Sequence, residues 1–539
     1  MQPSRQYKSV SWIANVALVI SIHFDGFWAG PLAYLTAAKW WVLGKKVRAR
    51  GQLAPLLGRS TKAYMLWARR DASARSANST HGQLPPIVAL VAASGDQQAL
   101  NLTLQSLADE GLQVFVIGAG QPVDMKTAAA EIDWTQEPWL LALNSGDRLA
   151  PGAAESYRQA MAATKAVAFY ADDDVQDKWG RRSAPHFKPD WNSELFCHFD
   201  YLTGACVIRV EQDDLAAVAG MANWAELLVK LAVARGPVQH VRKMLHFRAA
   251  RINAPAAPRS LAVVAGLPPV SIIVPTRNRL DLLQKCLEGV AATRYSDVEI
   301  FVVDNDSDDP ATLAYLASID NGRARVLRHP GPFNYSAINN RAAAVARGQL
   351  LCLLNNDIEV IGPDWLAIMS TQALRHEVGA VGAQLLYPDG RIQHAGVVIG
   401  VGNAAGHAHR FVHPEAENYF RRHALPQFTS AVTGACLVVA RDKFLSVGGL
   451  DEQHFAVAFN DVDLCLRLGK RGWQALYEPR AVLIHHESVS RGLDDDPIGA
   501  ARFAGELSAL KRIWNTDKIV DPFHHPHLSR ASEQFVFAL

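Results

Sequence analysis

Cysteine is scarce in this chain: six residues in 539, namely Cys197, Cys206, Cys286, Cys352, Cys436 and Cys465. No two stand at zinc-ligand spacing, and most lie inside apolar runs such as LLCLLNN and TGACLVV. Buried free thiols in a reducing compartment fit that pattern better than a disulfide framework. Charge of one sign is also lacking. The formal net charge is +2, with no basic, aromatic-interleaved tract, so no nucleic-acid partner is expected. No GxGxxG follows any strand-like run, which excludes a Rossmann dehydrogenase. Long disordered stretches are missing too: 49% hydrophobic and 20% charged residues describe a core-forming chain. Its length asks for two or three folded units.

The N-terminus is apolar without being plainly transmembrane. Ser9 to His23 is almost uncharged, and Phe27 to Gly44 is apolar apart from Lys39. Each lies at or below the lower edge of the roughly 17–25 residues that cross a bilayer. The basic cluster Lys45, Lys46, Arg48 and Arg50 follows, and no charged start and cleavage site combine into a signal peptide. Two readings stay open: helices lying on an anionic membrane surface, slightly favoured, or helices packed on the protein's own domains.

Beyond residue 85, short apolar β-branched runs alternate with helical stretches, the pattern of α/β layers. The pattern occurs twice. LTGACVIRV (202–210) matches VTGACLVVA (432–440), VFVIGAG (114–120) matches IFVVDND (300–306), and ELLVKLAVARG (226–236) matches DLCLRLGKRGW (463–473). One fold used in tandem is therefore expected. The boundaries read as a helical extension over 1–80, a first unit over 85–250, an Ala- and Pro-rich linker over 251–269, a second unit over 270–520 and a tail over 521–539.

The chemistry gathers in the second copy. A buried strand ends at Pro275, which puts Thr276 to Arg279 where parallel sheets collect ligands. The next strand ends in VVDNDSDD, where Asp304 can accept hydrogen bonds from a base or ribose, although Asp and Ser also serve as helix caps. LLCLLNNDIEV carries Asn355, Asn356 and Asp357 to the same sheet edge. A hard divalent cation suits those oxygens, and a turn suits them as well. In AFNDVDLCLRLGKRGW, Asp461 and Asp463 head a helix whose Leu464 and Leu468 share one face. Capping explains carboxylates there; so does general-base work on an acceptor hydroxyl.

The order PTRNR, DND, NND, TGAC, VGGLDE, NDVDLCLRL, HHESVSRG resembles the family-2 glycosyltransferases of GT-A type, over residues 268 to 520. The nearest likeness is to bacterial enzymes of O-antigen, capsule and rhamnose-containing polysaccharide synthesis. The resemblance implies two GT-A-like α/β domains in tandem behind an N-terminal helical extension. It also implies a cytoplasmic enzyme, with an inner-membrane-face setting if its acceptor is lipid-linked. Pro275, Thr276, Arg279, Asp304, Asn305, Asn355 and Asn356 would bind a UDP- or dTDP-sugar donor. Asp357, with His485 (or His486), would hold Mn²⁺ or Mg²⁺, and Asp461 would be the base. The acceptor would be a glycan or lipid-linked glycan, and the displacement would invert the anomeric carbon. Asn355 replaces the first acid of the DxD motif, which implies weaker metal binding or more reliance on donor phosphates.

The first copy looks disarmed. Gly118 stands for Asp304 and Trp224 for Asp461, while Asp147 still parallels Asp357 and Glu226 parallels Asp463. An indole cannot act as a base. The three acids of ADDD (171–174) read as a cation site or, in preference, as a solvated acidic loop. A non-catalytic partner domain is expected. The rival functions are a nucleotidyltransferase, whose glycine-rich basic loop is missing from PTRNRLD, and a glycan-binding protein without turnover, which would not need Asp304, Asp357 and Asp461 together.

Overall fold

Val270–Thr276 is buried at every position because parallel neighbours flank it on both sides and helices cover both faces. Around such strands the computed structural model builds two mixed α/β units. It describes residues 5–74, 85–118, 120, 121, 123–320, 322–486 and 497–539. The end of the HHESVSRG motif, beyond His486, lies outside those residues.

Ahead of the first unit come four helices: α1 (Arg5–Ala29), α2 (Pro31–Val42), α3 (Lys46–Leu57) and α4 (Thr61–Ala74). The first sheet holds β1 (Ile87–Ala92), β2 (Gln113–Ile117), β3 (Trp139–Asn144), β4 (Arg148–Leu149), β5 (Ala168–Gln176), β6 (Arg182–His186), β7 (Cys206–Ile208) and β8 (Val238–Arg248). Its order is β2-β1-β3-β7-β5-β8-β4, with β6 on β5.

The second unit holds β9 (Val270–Thr276), β10 (Val298–Asp304), β11 (Arg325–Arg328), β12 (Leu350–Leu354), β13 (Ile358–Val360), β14 (Val378–Leu386), β15 (Ile392–His394), β16 (Val397–Ile399), β17 (Ala405–His407), β18 (Gln427–Thr429), β19 (Cys436–Ala440) and β20 (Gln474–His485). The main sheet runs β11-β10-β9-β12-β19-β14-β20-β13, while β16 and β17 pair apart from it. Strand for strand this repeats the first sheet with β11 added at one edge. Directions repeat as well: β3/β7 and β12/β19 are antiparallel, and β5/β8 and β14/β20 are parallel. The sequence repeat is thus a repeat of topology.

The units share a buried seam. The Asn192 amide donates to the Phe428 carbonyl at 2.8 Å, and the Phe428 N–H returns a bond to Asn192 at 3.1 Å. Phe420 and Leu425 of the second unit belong to the first unit's core. Residues read from sequence as a tail cross the seam: the Pro522 carbonyl accepts from Asp190 N–H at 2.7 Å, and Leu528 and Phe535 pack with Tyr64 of α4 and Phe187. All six cysteines are free thiols, but Cys197 is exposed, against the expectation of burial. It sits near the C-terminal end of helix Ser193–His198, beyond the buried Glu194, Leu195 and Phe196.

Candidate active site

Three strand ends form the floor. Thr276 closes β9, and its hydroxyl accepts from the Asn356 amide at 3.1 Å. Asn278 and Arg279 then turn through left-handed φ values of 52° before helix Leu280–Ala291 begins. Asn278 sews two loops together. Its Oδ1 accepts from Asp308 and Asp309 N–H at 3.0 Å each, and its amide donates to Asp308 at 2.7 Å. Arg279 pairs with Asp281 at 2.8 Å. Asp304, fully buried at the end of β10, accepts from the Ser307 hydroxyl and pairs with Arg328. Its carboxylate is therefore oriented by the protein on both oxygens. Asn305 spends its amide on the carbonyls of His329 and Gly331, at 2.9 and 3.0 Å, so its side chain braces the loop. Sequence reasoning placed Asn278 within the Thr276–Arg279 edge but missed Ser307 and Arg328, at which only the DSDD run hinted.

Asp357 and His485 meet through strand pairing. β13 runs antiparallel to β20 with Ile358 opposite His485, and the His486 N–H donates to the Asp357 carbonyl at 3.0 Å. The His485 Nε2 lies 3.1 Å from Asp357 Oδ1 and 3.4 Å from the Asn355 amide. Its Nδ1 lies 2.6 Å from Gln393 Oε1, an oxygen that can only accept, so the ring donates there. That leaves Nε2 facing the Asp357 carboxylate. An oxygen and an imidazole nitrogen form a donor set that suits Mn²⁺ or a similar divalent ion, with Gln393 in the orienting position behind the histidine. His486 instead pairs with Glu359 at 2.9 Å, so His485 is the histidine at this corner.

Asp461 lies in the first turn of helix Asn460–Lys470. The helix forms because Leu464 and Leu468 bury one face, worth about 1.5–3 kcal/mol each. It starts sharply at Phe459, whose φ is 62°. The Asp461 carboxylate accepts from Gly434 N–H at 2.8 Å and Val462 N–H at 2.8 Å. Burial raises this carboxyl above its ordinary range, and the Gly434 and Val462 amides and the Thr433 side chain offset only part of that. Tyr335 donates to the Gly434 carbonyl at 2.8 Å, and its hydroxyl feels both Asp461 and Asp357. Asp463 is otherwise engaged: it binds Arg467 at 2.7 Å and accepts from the Trp514 indole at 2.9 Å.

The corresponding corner of the first unit has the opposite electrostatics. Gly434 lies against Asp461, whereas a Cβ on its counterpart Gly204 would meet the Arg248 guanidinium at 2.8 Å. Asp147 is buried and accepts from Ala249 N–H at 2.9 Å. The acids 172–174 are not a solvated loop. They lie in β5, buried and paired with cations. Asp173 meets Lys188 at 2.8 Å and Arg248 at 2.9 Å, Asp174 meets Arg182 at 2.6 Å and the Tyr64 hydroxyl, and Asp172 meets His240 and His525 at 3.0 Å each. Burial raises the Asp174 carboxyl to about 6 despite Arg182 and Tyr64. Burial alone would raise Asp172 as well, but His525 and His240 outweigh it and hold the group far below its usual range.

Asp172, His240 and His525 are spaced closely enough to suggest a metal site. Their hydrogen bonds give another account. His240 has a carboxylate at each nitrogen, Asp172 at 3.0 Å and Asp190 at 3.2 Å, as a doubly protonated ring requires. His525 Nδ1 accepts from His527 N–H at 3.1 Å, which turns Nε2 toward Asp172, 3.0 Å away.

Residues 271–444 match the family model described as glycosyl transferase family 2. The chain is 37% identical over 473 residues to the uncharacterized protein y4gI of Sinorhizobium fredii, covering 79% of this chain and 52% of that protein. It is 36% identical over 433 residues to the O-antigen biosynthesis protein RfbC of Myxococcus xanthus, covering 72% and 33% respectively. With N-acetylglucosaminyl-diphospho-decaprenol L-rhamnosyltransferase of Mycobacterium tuberculosis it shares 27% over 232 residues, 39% of this chain and 74% of that one. The chain thus spans about half the length of the first of these relatives and a third of the second. Within the second unit, residues 271–444 are thus similar to glycosyl transferase family 2.

Proposed function

We propose that the second unit transfers a sugar from a UDP- or dTDP-sugar to a hydroxyl of a glycan or lipid-linked glycan, with inversion, in cell-surface polysaccharide synthesis on the cytoplasmic side. The observation that carries this reading is the placement of Asp461. It is a carboxylate raised by burial and fixed by the Gly434 N–H at 2.8 Å, and the Tyr335 hydroxyl feels both it and Asp357. Asp461 takes the proton from the attacking hydroxyl. Thr276 and Asn356 shape the floor under the nucleotide, and Asp304, held by Ser307 and Arg328, presents an oriented acceptor to base or ribose. Asp357 and His485 would hold Mn²⁺ or Mg²⁺, which supplies charge compensation for the departing diphosphate. The name of one relative supports an O-antigen setting, and that of another supports a rhamnosyl donor and a decaprenol-linked acceptor. The first unit acts as a partner domain without turnover.

Purified protein incubated with Mn²⁺ and a panel of nucleotide sugars, without acceptor, tests the reading. Slow release of nucleoside diphosphate from one donor, abolished by chelator and in Asp357→Ala, is the expected result. No binding or turnover of any donor with any divalent metal would sink it.

A further inference from the structure

The N-terminal helices expose more apolar surface than a protein leaves to water. On α1, Trp12, Ile20, Phe24 and Trp28 are each at least 61% exposed; on and after α2, Leu32 and Val42 exceed 80%. Exposed patches of this extent mark interaction surfaces. On α1 the exposed positions 12, 16, 20, 24 and 28 recur every four residues. Its other side is protein: Ile22 clusters with Leu57 and Leu66, and Gly26 meets the Leu57 side chain.

We propose that α1 and α2 form an in-plane docking surface for an anionic lipid bilayer, sunk to the depth of its interface. The partner is argued from charge. Residues 1–58 carry seven lysines and arginines against one acid, Asp25, a net of +6. The whole chain carries +2, so the remaining 481 residues carry −4, and the positive end is the apolar end. Lys39, Lys45, Lys46, Arg48 and Arg50 are all exposed, with Lys45 4.8 Å from the Trp40 ring centre. An apolar helix face edged by aromatic rings and basic side chains is the composition that seats in a headgroup region.

Lying in the plane, rather than spanning, follows from what α1 holds. Trp12–Ala29 is long and apolar enough to cross a membrane. Near its end, however, Asp25 binds Lys62 at 2.8 Å and Ser60 at 2.6 Å, both in or just before α4. α4 is fastened to the first unit: the Tyr64 hydroxyl reaches Asp174, and the Trp67 ring packs 4.9 Å from Phe187. Pulling α1 across a bilayer would carry these charges into hydrocarbon or tear α4 from the protein. The proposal deepens the cytoplasmic reading above, but its observations are independent of the transferase site.

Co-sedimentation of the full chain with phosphatidylcholine vesicles, with and without a third of phosphatidylglycerol, tests it. At least tenfold more protein should pellet with the anionic vesicles, falling several-fold between 50 and 300 mM salt and released by alkaline carbonate. Phe24→Glu with Leu32→Glu should cut partitioning tenfold or more, and Lys45→Gln with Lys46→Gln should remove most of the salt dependence. Both pairs should leave acceptor-free donor hydrolysis unchanged, which separates failure here from failure of the transferase reading. Three outcomes would overturn the proposal: no anionic-vesicle binding, resistance to carbonate (a spanning helix), or a dimer that Phe24→Glu with Leu32→Glu splits into monomers (a second copy on the apolar face).

Discussion

Asp461 and Asp463 head one helix two residues apart, and their partners separate their roles. Asp463 is tied to Arg467 and Trp514, while Asp461 has backbone amides for partners and a carboxyl raised by burial. Asp461→Asn keeps an acceptor for the Gly434 N–H, so the fold should survive while turnover falls on the order of 10²–10⁴-fold. Asp463→Asn should instead cost about 1–3 kcal/mol in urea denaturation. A base works only when deprotonated, so the acid limb of kcat/KM should turn over above the ordinary aspartate value of 3.8 and vanish in Asp461→Asn. A limb at or below 3.8 would remove Asp461 from the role. A helix start made Asp461 and Asp463 legible in the sequence, and a strand end did the same for Asp304. Their partners were not, because Arg328 lies 24 residues from Asp304, and Gln393 lies 92 from His485. The acids 172–174 were misread for the same reason: a run of carboxylates implies solvent only until distant cations close over it.

At the scale of elements, the repeat was visible because apolar strand runs and the TGAC turns repeat in order, and both sheets follow that order. What the sequence concealed was how elements cross between units. Helix Ser193–His198 is capped by Asn192, which accepts from Leu195 N–H at 3.1 Å and also clasps Phe428 of β18 in both directions. One side chain serves as cap and seam. Asn192→Ala should therefore cost more than an ordinary cap, about 2–4 kcal/mol by addition of the cap and the bonds to Phe428. Thermal melting followed by circular dichroism would show the loss. A change under about 0.5 kcal/mol would mean that the seam is held elsewhere.

Across the whole molecule, ionisation and assembly are linked. Burial would lower His240, but Asp172 and Asp190 outweigh it and raise the ring above 6.5, with Arg242 also on Asp190. A raised histidine stabilises the fold fully below its unfolded value and loses that contribution as pH climbs through the folded one. Asp172 is lowered, so its share is present above 3.8 and lost as pH falls through its depressed folded value. Urea midpoints should thus decline on the alkaline side of 6.5, and His240→Gln should flatten that decline while lowering the plateau. An unchanged alkaline slope in the variant would detach His240 from stability.

The seam also puts a clock on the birth of the protein. Asp172 receives one of its two histidine partners from a residue 353 positions further along the chain, His525. At about 5–20 residues per second, a ribosome takes roughly 20–70 s to deliver it. During that interval Asp172 has His240 as its charge partner but lacks its second histidine, and the pairing is completed only when residue 525 emerges. A chain that stopped before His525 would leave Asp172 without that partner.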